Sequence, residues 1–246
     1  CLVTCCLAMT AAILETGIAP NMTAGLSLGE YAAIATAGAM DIKTALLLVR
    51  KRGLLMQNAT KDGFGGMAAV LGLEPDVLEA LLKNTDAVTV ANYNCPGQQV
   101  ITGETQALLE MIPRLKENGA KVIPLKVSGP FHTPLMAPAG DALAERFRTV
   151  EFREPQIPVI FNCLGAERPD GTAIPELLVR QVQSSVYMED SLRRMAAMGL
   201  DALVEIGPGK ALSGFVKKTV PELPVYAVET AAELEQLTET IKGASL

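Results

Sequence analysis

Apolar positions along the chain switch between helical and strand spacing in a repeating order. Thr4 to Thr16 is apolar at helical spacing and stops at Gly17, a helix followed by a terminator. Met22 to Leu26 reads as a short strand, and Leu28 to Ala37 as a helix closed by Gly38. Asp41 then caps a long helix predicted to run to about Ala59. Residues 61–127 change rhythm. Met67–Leu73 reads as a strand and Pro75–Lys83 as a helix; Ala87–Asn92 and Gln98–Thr102 form a hairpin around Pro96-Gly97. A helix over Glu104–Asn118 and a strand over Lys121–Val127 complete the segment. That is the split βαβ, ferredoxin-like order.

Beyond it, helices over Ala137–Thr149, Pro175–Gln183, Glu189–Met198 and Ala231–Lys242 alternate with short apolar strands at Pro158–Phe161, Ala202–Ile206 and Leu223–Val228. One further helix is opened by Gly207-Pro208-Gly209. Helices alternating with short buried strands predict an α/β fold, a mostly parallel sheet with helices on both faces. The expected organisation is an α/β core from residues 1–60 and 128–246, with an inserted ferredoxin-like α+β subdomain at 61–127.

Composition narrows the class. Hydrophobic residues make up 49% of the 246 and charged residues 20%, the balance of a globular chain with a large core. Aromatic content is 4% and tryptophan is absent, so that core rests on aliphatic side chains and methionine. A net charge of −6 argues against a nucleic-acid binder, which needs a basic face. No apolar run is long enough to span a bilayer, and the apolar start lacks the basic residues of a signal peptide. A monomer in the cytoplasm is expected. The 5 cysteines lack metal-ligand spacing, so buried thiols are expected rather than zinc or disulfides.

Gly25-Leu26-Ser27-Leu28-Gly29 is a Gly-x-Ser-x-Gly pattern at a strand-to-helix junction. Such an elbow exposes a serine hydroxyl on a sharp turn, with glycines where strand and helix approach closely. Alone, the pattern fits a nucleophile elbow or an ordinary turn. A serine nucleophile needs a base within hydrogen-bond reach, and His132 is the only histidine. It lies between Pro130 and Pro134, in a rigid loop. The Leu28 N–H, next after the serine, is the expected oxyanion donor.

Gly25-Leu26-Ser27-Leu28-Gly29-Glu30-Tyr31-Ala32-Ala33 resembles the nucleophile segment of malonyl-CoA:acyl carrier protein transacylases. Arg52-Gly53-Leu54-Leu55-Met56-Gln57 resembles that family's arginine motif, and Ser128-Gly129-Pro130-Phe131-His132-Thr133-Pro134-Leu135-Met136 its histidine motif. Glu205-Ile206-Gly207-Pro208-Gly209-Lys210 resembles its Gly-Pro-Gly loop. These motifs keep the family's order across nearly the whole chain.

The resemblance implies a hydrolase-like core and an enzyme of fatty acid biosynthesis that moves malonyl from coenzyme A to acyl carrier protein. Ser27 would be the nucleophile and His132 its base. A backbone carbonyl at Gln181 would orient the imidazole, the side chain there mattering little. Arg52 would bind the malonyl carboxylate, because a planar guanidinium matches it in two places. Phe131 would exclude α-branched acyl groups, and Asn92 and Asn94 would line the cleft. No cofactor is implied beyond the coenzyme A thioester consumed as substrate. Basic residues at Arg50, Lys51, Lys217 and Lys218 would meet the acidic carrier. The family's first strand and its Gly-Gln-Gly-Ser-Gln loop, source of a second oxyanion donor, are expected to be missing upstream of Ser27. A serine esterase using the same pair, or a non-catalytic carrier-binding fragment, are the rival expectations. The Gly-Pro-Gly loop could present amides to an anion or serve as a tight turn.

Overall fold

The computed structural model describes residues 1–244. The chain opens with α1 (Leu2–Glu15), β1 (Thr23–Ala24), α2 (Gly29–Thr36) and α3 (Ile42–Gln57). Asp41 caps α3 by accepting a bond from Thr44 N, as its position before the apolar run predicts. Next come β2 (Gly65–Leu71), α4 (Pro75–Leu82), β3 (Val88–Cys95), β4 (Gln98–Glu104), α5 (Thr105–Glu117) and β5 (Lys121–Pro124). The final part holds α6 (Ala137–Phe147), β6 (Val159–Phe161), β7 (Ala166–Glu167), α7 (Ile174–Gln183), β8 (Val186–Tyr187) and α8 (Met188–Ala197). It ends with β9 (Leu203–Ile206), α9 (Ala211–Thr219), β10 (Val225–Val228) and α10 (Ala231–Ala244).

The fold is α/β, but the expected single, mostly parallel sheet needs correction. The described strands form three sheets, two of them of mixed direction. β1 and β6 are parallel, yet their ladder ends after Ala24↔Ile160 because the chain turns away at Gly25. β7 then returns antiparallel to β6. The connection is a tight turn in which Leu164 and Gly165 both donate to Phe161 O, too short for a parallel crossover. β9 and β10 form a separate parallel pair. The largest sheet has the order β5-β2-β4-β3-β8, antiparallel except where β8 joins β3. β8 comes from outside residues 61–127 and is only two residues long, too short to show a period in sequence.

Apolar side chains collect in distinct groups. The largest joins α1, α2, α3, α6 and α7 around Tyr31, Leu48, Leu143 and Phe161. A second, including Val70, Leu78, Ile101 and Leu115, lies wholly between residues 68 and 122. Phe131 packs against the first and against Met67, Ala91 and Val100 of the large sheet, joining the two sides at the loop that carries His132. No helix among the described residues is long and apolar enough to cross a membrane.

Of the two elbow glycines, only Gly25 is confined. A Cβ there would lie 2.1 Å from the Gly29 carbonyl carbon and 2.6 Å from Glu30 N, both backbone atoms. A Cβ on Gly29 would meet nothing within 4 Å. The crowding is one-sided because the Gly25 side-chain direction points at the first turn of α2, whereas that of Gly29 points away from the strand. Gly25→Ala should therefore cost about 3 kcal/mol or more, beyond ordinary overpacking, since neither wall is a movable side chain. Gly29→Ala should be neutral or gain up to about 1 kcal/mol of helix propensity. Urea denaturation of both variants checks this; equal losses would mean that the elbow is not set by this contact.

Candidate active site

Ser27 follows β1 and has φ +48°, a left-handed conformation unusual for a residue with a side chain. It can hold that conformation because both of its peptide groups are tied from distant parts of the chain. Its N–H donates to Asn162 Oδ1 at 2.5 Å, and its carbonyl accepts from Gln181 Nε2 at 2.8 Å. The turn presents the hydroxyl to His132, with Oγ···Nε2 at 2.8 Å. His132 is itself left-handed, φ +60°, in the Pro130–Pro134 loop, and is buried.

The other imidazole nitrogen, Nδ1, lies 2.9 Å from Gln181 O. A carbonyl can only accept, so Nδ1 carries the proton and Nε2 is left to accept from the serine. Burial, and after it the nearby Arg52 charge, push His132 down to about 4, so the imidazole is neutral at physiological pH. Arg52, on α3, is 5% exposed and has no ion-pair partner within 4.0 Å among the described residues. One terminal nitrogen donates to Ser27 Oγ at 2.9 Å and to Gln181 Oε1 at 3.0 Å. Its Nε is buried without a partner, and the guanidinium carbon sits 5.7 Å from the Tyr31 ring centre. Burial lowers its affinity for a proton, as it must for an uncompensated cation.

The structure thus brings Ser27, His132, Arg52 and Gln181 together. The expectation that the Gln181 side chain matters little is corrected: it is fully buried, and its carboxamide joins Arg52 to the Ser27 carbonyl. Leu28 N–H donates to no acceptor among the described residues, so it is open beside the hydroxyl. Phe131 is half-buried, next to His132. Asn92 and Asn94 lie on β3 and are buried, but neither side chain bonds the histidine loop; Asn94 Oδ1 is buried without a partner. The amides at the start of α9 are not open to an external anion, because Glu205 takes Leu212 N and Ser213 N at 3.0 and 2.7 Å.

Two neighbours escaped the sequence reading. Glu30 lies in the first turn of α2, fully buried, with Oε2 accepting from Asn162 N at 2.7 Å and Oε1 unpaired. Burial pushes it up to about 8, against weaker pulls from the Asn162 amide, Gln181 and Arg52. An ionisable residue leading the apolar run Tyr31-Ala32-Ala33-Ile34 was its signal in sequence. Asn162 directly follows the apolar strand β6, a weaker one.

Residues 1–242 match the family described as the acyl transferase domain, and the chain belongs to it. It is 43% identical over 236 residues to the malonyl CoA-acyl carrier protein transacylase of Bacillus subtilis, covering 93% of this chain and 74% of that protein. The crystal structure of malonyl CoA-acyl carrier protein transacylase from Clostridium perfringens superposes with a TM-score of 0.96 at 36% identity, covering 99% of this chain and 78% of that one. A malonyl-transacylase solved in complex with its type II PKS acyl-carrier protein superposes at 0.93 and 37% identity, covering 97% and 79%.

Glu30 and His132 tilt stability in opposite directions. From pH 4.5 to about 8 the folded state keeps a Glu30 proton that the unfolded chain releases, so stability falls as pH rises. From about 4 to 6.5 folded His132 refuses a proton that the unfolded chain takes, so stability rises with pH. The two offset each other up to pH 6.5; above it only Glu30 remains, at about 1.4 kcal/mol per pH unit. Urea denaturation at steps from pH 6.5 to 8 should show falling stability in the wild type and a flat profile in Glu30→Gln. Parallel profiles would show that Glu30 is already ionised in the fold.

Proposed function

We propose that this chain is an acyl-carrier-protein S-malonyltransferase of fatty acid synthesis, moving malonyl from coenzyme A to the phosphopantetheine thiol of acyl carrier protein through a malonyl-serine ester. The observation that carries the reading is the buried, ion-pair-free Arg52 donating to the hydroxyl of Ser27. A lone cation beside a nucleophile favours a substrate that brings its own carboxylate, and malonyl does. A neutral acyl group would leave that buried cation without a partner, so an esterase of neutral acyl groups does not account for it. The relatives' shared name points the same way.

In this reading Ser27 Oγ attacks the thioester carbonyl and its proton passes to His132 Nε2 along the 2.8 Å bond. The oxyanion of the tetrahedral intermediate takes a hydrogen bond from Leu28 N–H. Collapse expels coenzyme A, whose sulfur receives the proton from His132. The carrier thiol then enters, gives its proton to His132 and attacks the ester carbonyl; the carbon–oxygen bond to Ser27 breaks as His132 returns the proton to Ser27 Oγ. His132 leans on a neutral carbonyl instead of a carboxylate, so the imidazolium is stabilised less than in a full triad. Exchange between esters of similar energy tolerates that. Phe131, immobilised between two apolar groups, limits space near the α-carbon of the acyl group. Asn94 supplies a free oxygen to the cleft wall.

Residues 1–60 with 128–246 form the catalytic core in this reading, and 61–127 an inserted ferredoxin-like subdomain. The β5-β2-β4-β3 order and the separate apolar group support that division. The core carries the parallel β1–β6 and β9–β10 pairs, in two separate sheets. Exposed Arg50 and Lys51 on α3, and Lys217 and Lys218 on α9, are the basic groups offered to an acidic carrier. The protein works in the cytoplasm as a monomer.

Intact mass after mixing with malonyl-CoA should show a malonyl adduct that Ser27→Ala abolishes and His132→Ala slows by about 10²–10⁴-fold. Arg52→Ala should lower kcat/KM for malonyl-CoA by about 2–5 kcal/mol in transition-state binding while acetyl-CoA changes far less. Labelling of the Ser27→Ala protein, or equal losses with both thioesters, would overturn the assignment.

A further inference from the structure

We infer that Asn162 is a positioning residue for the nucleophile: its carboxamide replaces the missing rung of the β1–β6 ladder and fixes the Ser27 turn. The parallel register runs Thr23↔Val159 and Ala24↔Ile160. Two residues further on, Asn162 stands opposite Leu26. In a parallel ladder the residue opposite Leu26 donates its own N–H to Gly25 O and accepts on its own C=O from Ser27 N. Here both bonds are made, but by the Asn162 side chain: Nδ2 donates to Gly25 O at 2.6 Å, and Oδ1 accepts from Ser27 N at 2.5 Å.

The main chain of Asn162 is thereby released for other work. Its N–H donates to Glu30 Oε2 at 2.7 Å, on the helix that the elbow starts. Its carbonyl accepts from Tyr187 N at 2.9 Å, on β8, which pairs with β3 of the large sheet. One fully engaged residue therefore joins the strand before the serine, the helix after it and the neighbouring sheet. Asn162 is 1% exposed, so no water substitutes for these bonds.

The chemistry demands asparagine. A carboxylate of the same shape would accept from Ser27 N but set a second oxygen against Gly25 O, with no proton between them. An alanine leaves both backbone groups unpaired, and a glutamine is a methylene too long. The inference rests on the reading of Ser27 as nucleophile, and the experiment separates the two. The probes are a fluorophosphonate, which reports any activated serine without reference to thioesters, and malonyl-CoA, both followed by intact mass.

Asn162→Asp and Asn162→Ala should label with the fluorophosphonate about 10²-fold more slowly than wild type, a loss typical of a misplaced reacting group. The aspartate deficit, taken as a ratio to wild type at each pH, should shrink between pH 8 and pH 6, while the alanine deficit stays flat. A protonated carboxyl again offers one donor and one acceptor, and burial favours that neutral form. Glu30 of α2 accepts from Asn162 N, Arg52 of α3 and His132 both bond Ser27 Oγ, and Cys163 is next in the chain; these groups are common to wild type and both variants, so the ratio removes their own titration. Asn162→Asp keeps the shape of the side chain and decides the question if the alanine protein fails to fold. Wild-type rates in Asn162→Asp, or a deficit equal at every pH, would overturn the inference, as would a wild-type Ser27 inert to the probe. Fluorophosphonate labelling of wild type without a malonyl adduct would instead remove the transferase reading and leave the Asn162 comparison intact.

Discussion

A left-handed backbone at Ser27 is the constraint on which the rest of the site depends. An L-residue holds such a conformation only where its surroundings over-determine it, at a cost of about 1–3 kcal/mol. Here they do so through carboxamides 135 and 154 residues downstream, one on each side of the serine. Both come from irregular or terminal positions, Asn162 just past β6 and Gln181 near the end of α7. The elbow is therefore a product of the whole core. A local sequence pattern such as Gly-x-Ser-x-Gly permits the turn, through the empty Cβ position of Gly25, but does not hold it.

That division explains what was legible in the sequence. Periodicity located every long helix, because burial of one face writes itself at regular spacing; α3, capped by Asp41 and running from Ile42 through Gln57, is a case. The large sheet was legible for the same reason, since β2, β3 and β4 are seven or eight residues long. β7 and β8 were not, because two residues carry no period and their pairing is decided by turns and by distant partners. Ser27, His132 and Arg52 stood out as motifs. Glu30 and Asn162 did not, because their importance lies in bonds to main-chain atoms, and such bonds leave no pattern in side-chain order.

The two elbow glycines show the same limit in miniature. Gly25 and Gly29 are equivalent in the motif, yet one faces backbone at 2.1 Å and the other faces open space. Gln181 shows it from the other side: the carbonyl implied by resemblance does lie against Nδ1, while its side chain, discounted in sequence, bridges Arg52 and the serine carbonyl.

Arg52 then sets the terms of the chemistry. Its charge lowers the basicity of His132, after burial, and also donates to the Ser27 hydroxyl, which stabilises a developing alkoxide while drawing on the oxygen's lone pair. These effects oppose one another: the hydroxyl is more acidic and the base is weaker. A substrate carboxylate seated on the guanidinium would change the balance, because neutralising that cation removes its pull on the imidazole. Glu30 cannot do this in advance, since burial holds its carboxyl largely neutral up to about pH 8. In the proposed reading, the cation that would bind the carboxylate is also the group whose neutralisation would restore the base. Under that reading selectivity would fall on the rate of acylation as well as on binding, because an acyl group without the carboxylate would leave His132 under the full charge of Arg52.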